Sequence, residues 1–246
     1  MEKRNIAISL PATGEDEWQA VREPILSGWL TQGPKVAEFE KQFAKRHQVN
    51  HALAVTSCTT GLHLILAAME IGPGDEVITQ GNTFVATCLG ISNNGAKVVL
   101  CDIDPLTHLI DPSKIEALIT SKTKAIIPVH LYGQCCDMES IMDIAKRHGL
   151  KVVEDTALSL GSKIGKKFAG TFGDAGAFSF HPVKIITTGE GGAIILKNKK
   201  DFLLIKSMKS FGYDIASPNK RKIPGSYNVN SFGLNYRMSE MESAIG

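Results

Sequence analysis

The sequence predicts an α/β fold, a mostly parallel central sheet covered by helices on both faces. Three observations carry that reading. Helix-period and strand-like stretches alternate from residue 15 onward. The strand-like stretches are short β-branched runs separated by amphipathic segments, a pattern that requires crossover connections. The 246 residues, 43% of them hydrophobic, suffice to bury a substantial core.

In chain order, "TGEDEWQAVREPILSG" has an acidic first turn after Thr13 and stops at Gly28. "PKVAEFEKQFAKRH" places Val36, Phe39, Phe43 and His47 on one helical face. Strand-like "ALAV" (52–55) precedes helical "GLHLILAAMEIG" (61–72), strand "DEVIT" (75–79) and helix "FVATCLGISNNG" (84–95). Strand "KVVLCD" (97–102), helix "PSKIEALIT" (112–120), strand "KAIIPVH" (124–130), helix "DMESIMDIAKRHG" (137–149) and strand "KVVEDT" (151–156) continue the alternation. Polar, Pro- and Gly-containing 213–231 reads as a long loop. Beyond it "YRMSEMESAIG" opens a helix, with Met238, Met241 and Ile245 at helical spacing and no stop signal.

Bulk properties exclude several functions. Twenty-seven basic and 25 acidic residues leave a formal charge of +2, with no single-sign run to track a phosphate backbone or a membrane surface. The longest apolar stretch is too short for a membrane span, and the N-terminus lacks a signal-peptide pattern, so a cytoplasmic protein is expected. Five cysteines, two of them adjacent, form neither a disulfide framework nor a zinc motif. His130 with Cys135 and Cys136 lacks a second ligand pair, and no metal site is expected.

In sheets of this type ligands collect outside the carboxyl ends of the strands, and four features fall there. "VTSCTTGLHL" places Cys58 and Thr59 where a helix begins, either an anion site or an ordinary Ser/Thr cap. "VVEDTA" ends a strand on Glu154 and Asp155, either ligand-binding acids or a strand-terminal cap. Phe84 in "NTFVAT" can stack on a flat ligand, although for a lone aromatic core packing is the simpler expectation. In "FSFHPVKIITTGEGGAI", Ser179 and Lys184 follow a strand-like run and precede clustered glycines. A desolvated lysine there is a nucleophile toward carbonyls, and a surface loop lysine is the alternative. A lysine for an aldehyde, a helix N-terminus for a phosphate, an acid for a ring nitrogen and a slab for a ring face are the parts that pyridoxal phosphate (PLP) requires.

The chain also resembles the sugar aminotransferases of the DegT/StrS type, within the aspartate-aminotransferase-like PLP enzymes. The likeness runs through "SGWLTQGPKVAEFEKQFA", "TFVAT", "KTKAIIPVHLYGQ", "VVEDTA", "GTFGDAGAFSFHPVKIITTGEGG" and "LNYRMSE". It implies that Lys184 is the lysine that bonds the cofactor and that Asp155 faces the pyridine nitrogen. It implies that Phe84 stacks on the ring, and that Ser179 with the amides around Cys58 and Thr59 holds the phosphate. Asn235 matches a residue that family members lend to a neighbour's cofactor, which implies a homodimer. Where the family usually carries Gln or His, this chain has Leu158, which cannot hydrogen-bond through its side chain.

The resemblance further implies glutamate as amino donor and a nucleotide-linked 4-keto-6-deoxy sugar as acceptor. Residues 1–246 are then expected to be a PLP-binding large domain, with 234–246 the start of a helix leading to an absent C-terminal domain. Three alternatives accompany it. One is a partial fragment that keeps only cofactor binding or dimerisation. Another is a PLP-dependent sugar dehydratase, in which histidine typically replaces the lysine. The third is a non-catalytic nucleotide-binding module, for which the sequence has no P-loop or G-x-G-x-x-G spacing.

Overall fold

A computed structural model describes residues 7, 9–214 and 228–246. Two helices come first, α1 (Glu15–Ser27) and α2 (Pro34–Arg46), followed by β1 (Ala52–Val55), α3 (Cys58–Ala68), β2 (Glu76–Gln80) and α4 (Val85–Ser92). Then follow β3 (Lys97–Cys101), the single turn α5 (Pro112–Ile115), β4 (Thr123–Ile127), α6 (Met138–His148) and β5 (Lys151–Asp155). A small hairpin, β6 (Lys163–Ile164) and β7 (Lys167–Phe168), leads to β8 (Ala175–Ser179), β9 (Gly192–Leu196), α7 (Lys199–Met208) and α8 (Glu240–Ile245).

Among the described residues the main sheet has seven strands in the order β1-β9-β8-β5-β4-β2-β3. Every pairing from β8 to β3 is parallel, whereas β9 runs antiparallel to both β8 and β1. The expected mostly parallel, doubly covered sheet is therefore present. Strand side chains divide between its two faces, as the period of two demands. Val153, Ala125 and Ile127 meet α3 on one face, while Val152 and Ile126 meet α6 on the other. At the β1 end, Ala52 and Ala54 meet Phe39 and Phe43 of α2, which cover Phe178 and Phe180.

Several boundaries shift for identifiable reasons. Helix α3 starts at Cys58 and not at Gly61, because Ser57 caps it: the Ser57 hydroxyl accepts the Thr60 N–H while Thr60 Oγ1 accepts the Ser57 N–H. The helix expected over 112–120 is one α turn followed by a 3₁₀ turn at Glu116–Leu118. Met238 lies ahead of α8, whose start is fixed by a capping box between Ser239 and Glu242. Residues 215–227 of the expected loop lie outside the described residues. Among the described residues no helix is long and apolar enough to cross a membrane.

The last helix is tied to the body by a buried acid. Glu240, 1% exposed, accepts the N–H groups of Gly33, Lys35 and Val36, so its carboxylate caps α2 from across the fold. An ion pair with a buried lysine joins the end of α7 to α2, and the same lysine reaches β1. Lys209 Nζ lies 2.8 Å from Glu40 Oε1 and 2.8 Å from the Ala54 carbonyl.

Candidate active site

Strand direction decides what meets at one edge. Because β1 and β8 both oppose β9, β1 points the same way as β8, β5, β4 and β2. The carboxyl ends of β1, β2, β5 and β8 therefore open onto a common edge, where the chain delivers Cys58, Phe84, Asp155 and Lys184 respectively. That is where ligands of parallel sheets collect.

Asp155 is 4% exposed, and its carboxylate accepts from three donors. Thr87 Oγ1 donates to Oδ2 at 2.7 Å, while Oδ1 takes the Ala157 N–H at 3.1 Å and the Cys58 thiol at 3.7 Å. Burial pushes the Cys58 thiol well above its ordinary pKa, and the charge of Asp155 adds to that. The thiol is therefore a neutral donor. Lys184 acts on the same thiol in the opposite sense and more weakly.

Lys184 itself follows β8 in a turn, its N–H donated to the His181 carbonyl at 2.9 Å. It is half-buried, and its neighbours Val183, Ile185 and Ile186 are exposed. The apolar enclosure expected for this lysine is therefore not supplied by its own sequence neighbours.

The putting together of α3, β8 and β9 depends on one close approach. Ser179 pairs with Gly192, and a Cβ at Gly192 would sit 2.7 Å from both the Cys58 nitrogen and the Phe178 carbonyl. Only glycine lets these backbones meet. The result sets Ser179 beside the N-terminus of α3, where the amides of Cys58 and Thr59, the first two of the helix, have no intrahelical acceptor. Such a terminus attracts anions.

Phe84 is 75% exposed at the position just before α4, so the core-packing expectation fails. The helix begins at the sheet edge, and its leading residue cannot reach the core. Asn235 is also exposed, and its carboxamide oxygen accepts from Arg237 Nε at 3.1 Å. The segment that carries it is held to the body by the Thr56 N–H, which donates to the Tyr236 carbonyl at 3.2 Å. Leu158 packs with the α6 cluster, on the face opposite that of Asp155.

Two groups escaped the sequence reading. Thr87 is one, quoted within "TFVAT" but not marked as polar machinery. The other is the network of Glu154, which is fully buried and accepts from the Gly170 and Gly173 N–H groups, each at 2.7 Å, and from His130 Nε2 at 2.9 Å. The Cys136 N–H donates to His130 Nδ1 at 3.0 Å, so Nε2 carries the ring proton. Both nitrogens of His130 are thus committed to internal partners.

The family model described as the DegT/DnrJ/EryC1/StrS aminotransferase family matches residues 11–246. The chain belongs to that family. A spore coat polysaccharide biosynthesis protein, SpsC of Bacillus subtilis (strain 168), is 44% identical over all of this DegT-family chain and 64% of its own length. A GDP-perosamine synthase of Caulobacter vibrioides is 43% identical over 98% of the chain and 63% of the relative. A Streptococcus pneumoniae protein solved in its PLP form superposes with a TM-score of 0.91 at 31% identity, over 99% of this chain and 65% of that one. The chain thus spans less than two thirds of the length of the curated relatives it matches.

Aminotransferases of the DegT family bind PLP, and the residues at this edge fit that group. The helix terminus narrowed by Gly192 suits a phosphate, the exposed Phe84 ring suits a flat face, and the fixed carboxylate of Asp155 suits a protonated ring nitrogen.

Proposed function

We propose that this chain is the PLP-binding large domain of an aminotransferase that moves an amino group from glutamate to a nucleotide-linked keto sugar, a 4-keto-6-deoxy hexose. The observation that carries the reading is the delivery of Cys58, Phe84, Asp155 and Lys184 to one carboxyl edge of the sheet, where the buried Asp155 carboxylate accepts the Cys58 thiol and Phe84 stands exposed. The relatives' names support the sugar class, one being a GDP-perosamine synthase and one a polysaccharide biosynthesis protein. Residues 234–246 would lead into a C-terminal domain, and Asn235 would serve a neighbour's site in a homodimer. The relatives' greater length and the exposure of Asn235 support these two points.

Bound PLP supplies an electron sink at the amino donor's Cα. The chain's own groups do the rest. Lys184 Nζ would hold the cofactor and, once free, would be the base that takes the proton from the donor's Cα. Asp155 holds the proton on the ring nitrogen, and its buried donors keep it from turning away. Phe84 covers one ring face and excludes water from it. The Cys58 and Thr59 amides and the Ser179 hydroxyl orient the phosphate.

The test is visible absorbance of the purified chain with PLP, before and after glutamate. The reading expects a band that glutamate bleaches, and no band in Lys184→Ala. Failure of the wild-type chain to form any band defeats the assignment. A band that never responds to glutamate supports instead a chain that only binds the cofactor, a reading favoured by its partial coverage of the relatives.

A further inference from the structure

Thr87 is 1% exposed in the first turn of α4, and its hydroxyl has two partners. It lies 2.7 Å from Asp155 Oδ2 and 2.8 Å from Thr83 Oγ1. A hydroxyl carries one proton, and a carboxylate oxygen accepts. Thr87 therefore donates to Asp155 and accepts from Thr83, which makes a chain of two hydroxyls ending on the carboxylate. The backbone of Thr87 has a separate task, since its N–H donates to the Phe84 carbonyl at 3.1 Å. One residue thus holds both the acid and the turn that carries the exposed ring.

We propose that Thr87 is a positioning residue that locks the Asp155 carboxylate and the Phe84-bearing turn into one unit, so that ring-nitrogen and ring-face contacts to bound PLP are set together. This rests on the PLP reading above. Torsion about the Cβ–carboxyl bond of an aspartate is soft. Ala157 and Cys58 hold only Oδ1, so loss of the Thr87 hydroxyl leaves Oδ2 without a partner and lets the carboxylate rotate.

Thr87→Val keeps the shape and removes the hydroxyl. Three readouts decide: PLP affinity by absorbance titration, the pH midpoint of the visible band, and the melting temperature of the apo chain. A looser Asp155 holds the positive ring nitrogen less well, and a lost nearby positive charge raises the proton affinity of the lysine-linked nitrogen. The expected result is a midpoint displaced upward and affinity weakened by roughly three- to tenfold, with Thr87→Ser restoring both. A lower melting temperature with unchanged midpoint and affinity overturns the inference, as does failure of Thr87→Ser to restore them. If Thr87→Val does not fold, Thr87→Ala, which also removes the hydroxyl that Asp155 accepts, is read in the same way: an upward displacement supports the inference and an unchanged midpoint overturns it. Absence of a band in the wild-type chain overturns the PLP reading and this inference together, whereas a wild-type band that Thr87→Val leaves unchanged overturns this inference alone.

Discussion

Glu154 and Asp155 are consecutive buried acids whose carboxylates serve opposite faces of the sheet, Glu154 bonding His130, Gly170 and Gly173, and Asp155 bonding Thr87 and Cys58. Their substitutions should separate stability from chemistry. Glu154→Gln turns an amide NH₂ toward fixed N–H donors and should cost about 2–3 kcal/mol, read as a lower urea midpoint. Asp155→Asn can keep its carbonyl oxygen on the Ala157 N–H and the Cys58 thiol and turn its NH₂ to the Thr87 hydroxyl, which can rotate, so its stability cost should be smaller, while single-turnover amino transfer falls on the order of 10²–10³-fold.

Phe84 should matter only to a bound ring. With 75% of its surface exposed, Phe84→Ala should change unfolding free energy by less than about 0.5 kcal/mol. The same change should weaken PLP binding by about two- to tenfold, measured by titration of the visible band.

The Lys209–Glu40 pair makes a third case. Lys209 is 2% exposed, and Lys209→Met strands Glu40 beside β1. The expected loss is about 3 kcal/mol by chemical denaturation. The double variant Glu40→Gln with Lys209→Met should lose less than the sum of the single changes, which a double-mutant cycle would show.

His47 sets a pH dependence. Burial among Phe43, Phe168 and Phe178 lowers its pKa below the ordinary 6.5, against the smaller raising effect of the Phe43 carbonyl. Above 6.5 the imidazole is neutral in folded and unfolded chains, and its contribution is level. As pH falls below 6.5 the unfolded chain takes up the proton first, so stability declines until the folded pKa is passed. The slope from this group cannot exceed about 1.4 kcal/mol per pH unit. Urea midpoints at pH 7.5, 6.5 and 5.5 should fall less steeply in His47→Phe than in the wild type.

What could be read from the sequence follows from range. The acid of "VVEDTA", the helix start at "SCTTG" and the lysine after "GAFSF" were legible because strand ends and caps are local signals, and the carboxyl-edge rule collects them. Thr87 was hidden because its partner Asp155 is 68 residues away, and within "TFVAT" a threonine differs little from the apolar residues of a short helix. For Phe84 taken alone the core-packing expectation failed, because aromatic character says nothing of whether the sheet edge lies above or below it. The antiparallel β9 was obscured by the glycines ahead of it, whose purpose, the approach of Gly192 to Cys58, exists only in three dimensions.

The pairing of β1 with β9 joins Ala52 to Ile195, about 140 residues apart in the chain. Loops of that length close slowly, because the entropic cost precedes any reward from contact. During synthesis β1 must therefore wait, its ladder unfilled, until β9 leaves the ribosome, and the start of α3 stands without Gly192 beside Cys58 before then. Conditions that slow elongation between β1 and β9 prolong the life of an open strand able to recruit other chains. Aggregation of this protein should thus track translation speed over its first 196 residues more closely than the equilibrium stability of the finished fold.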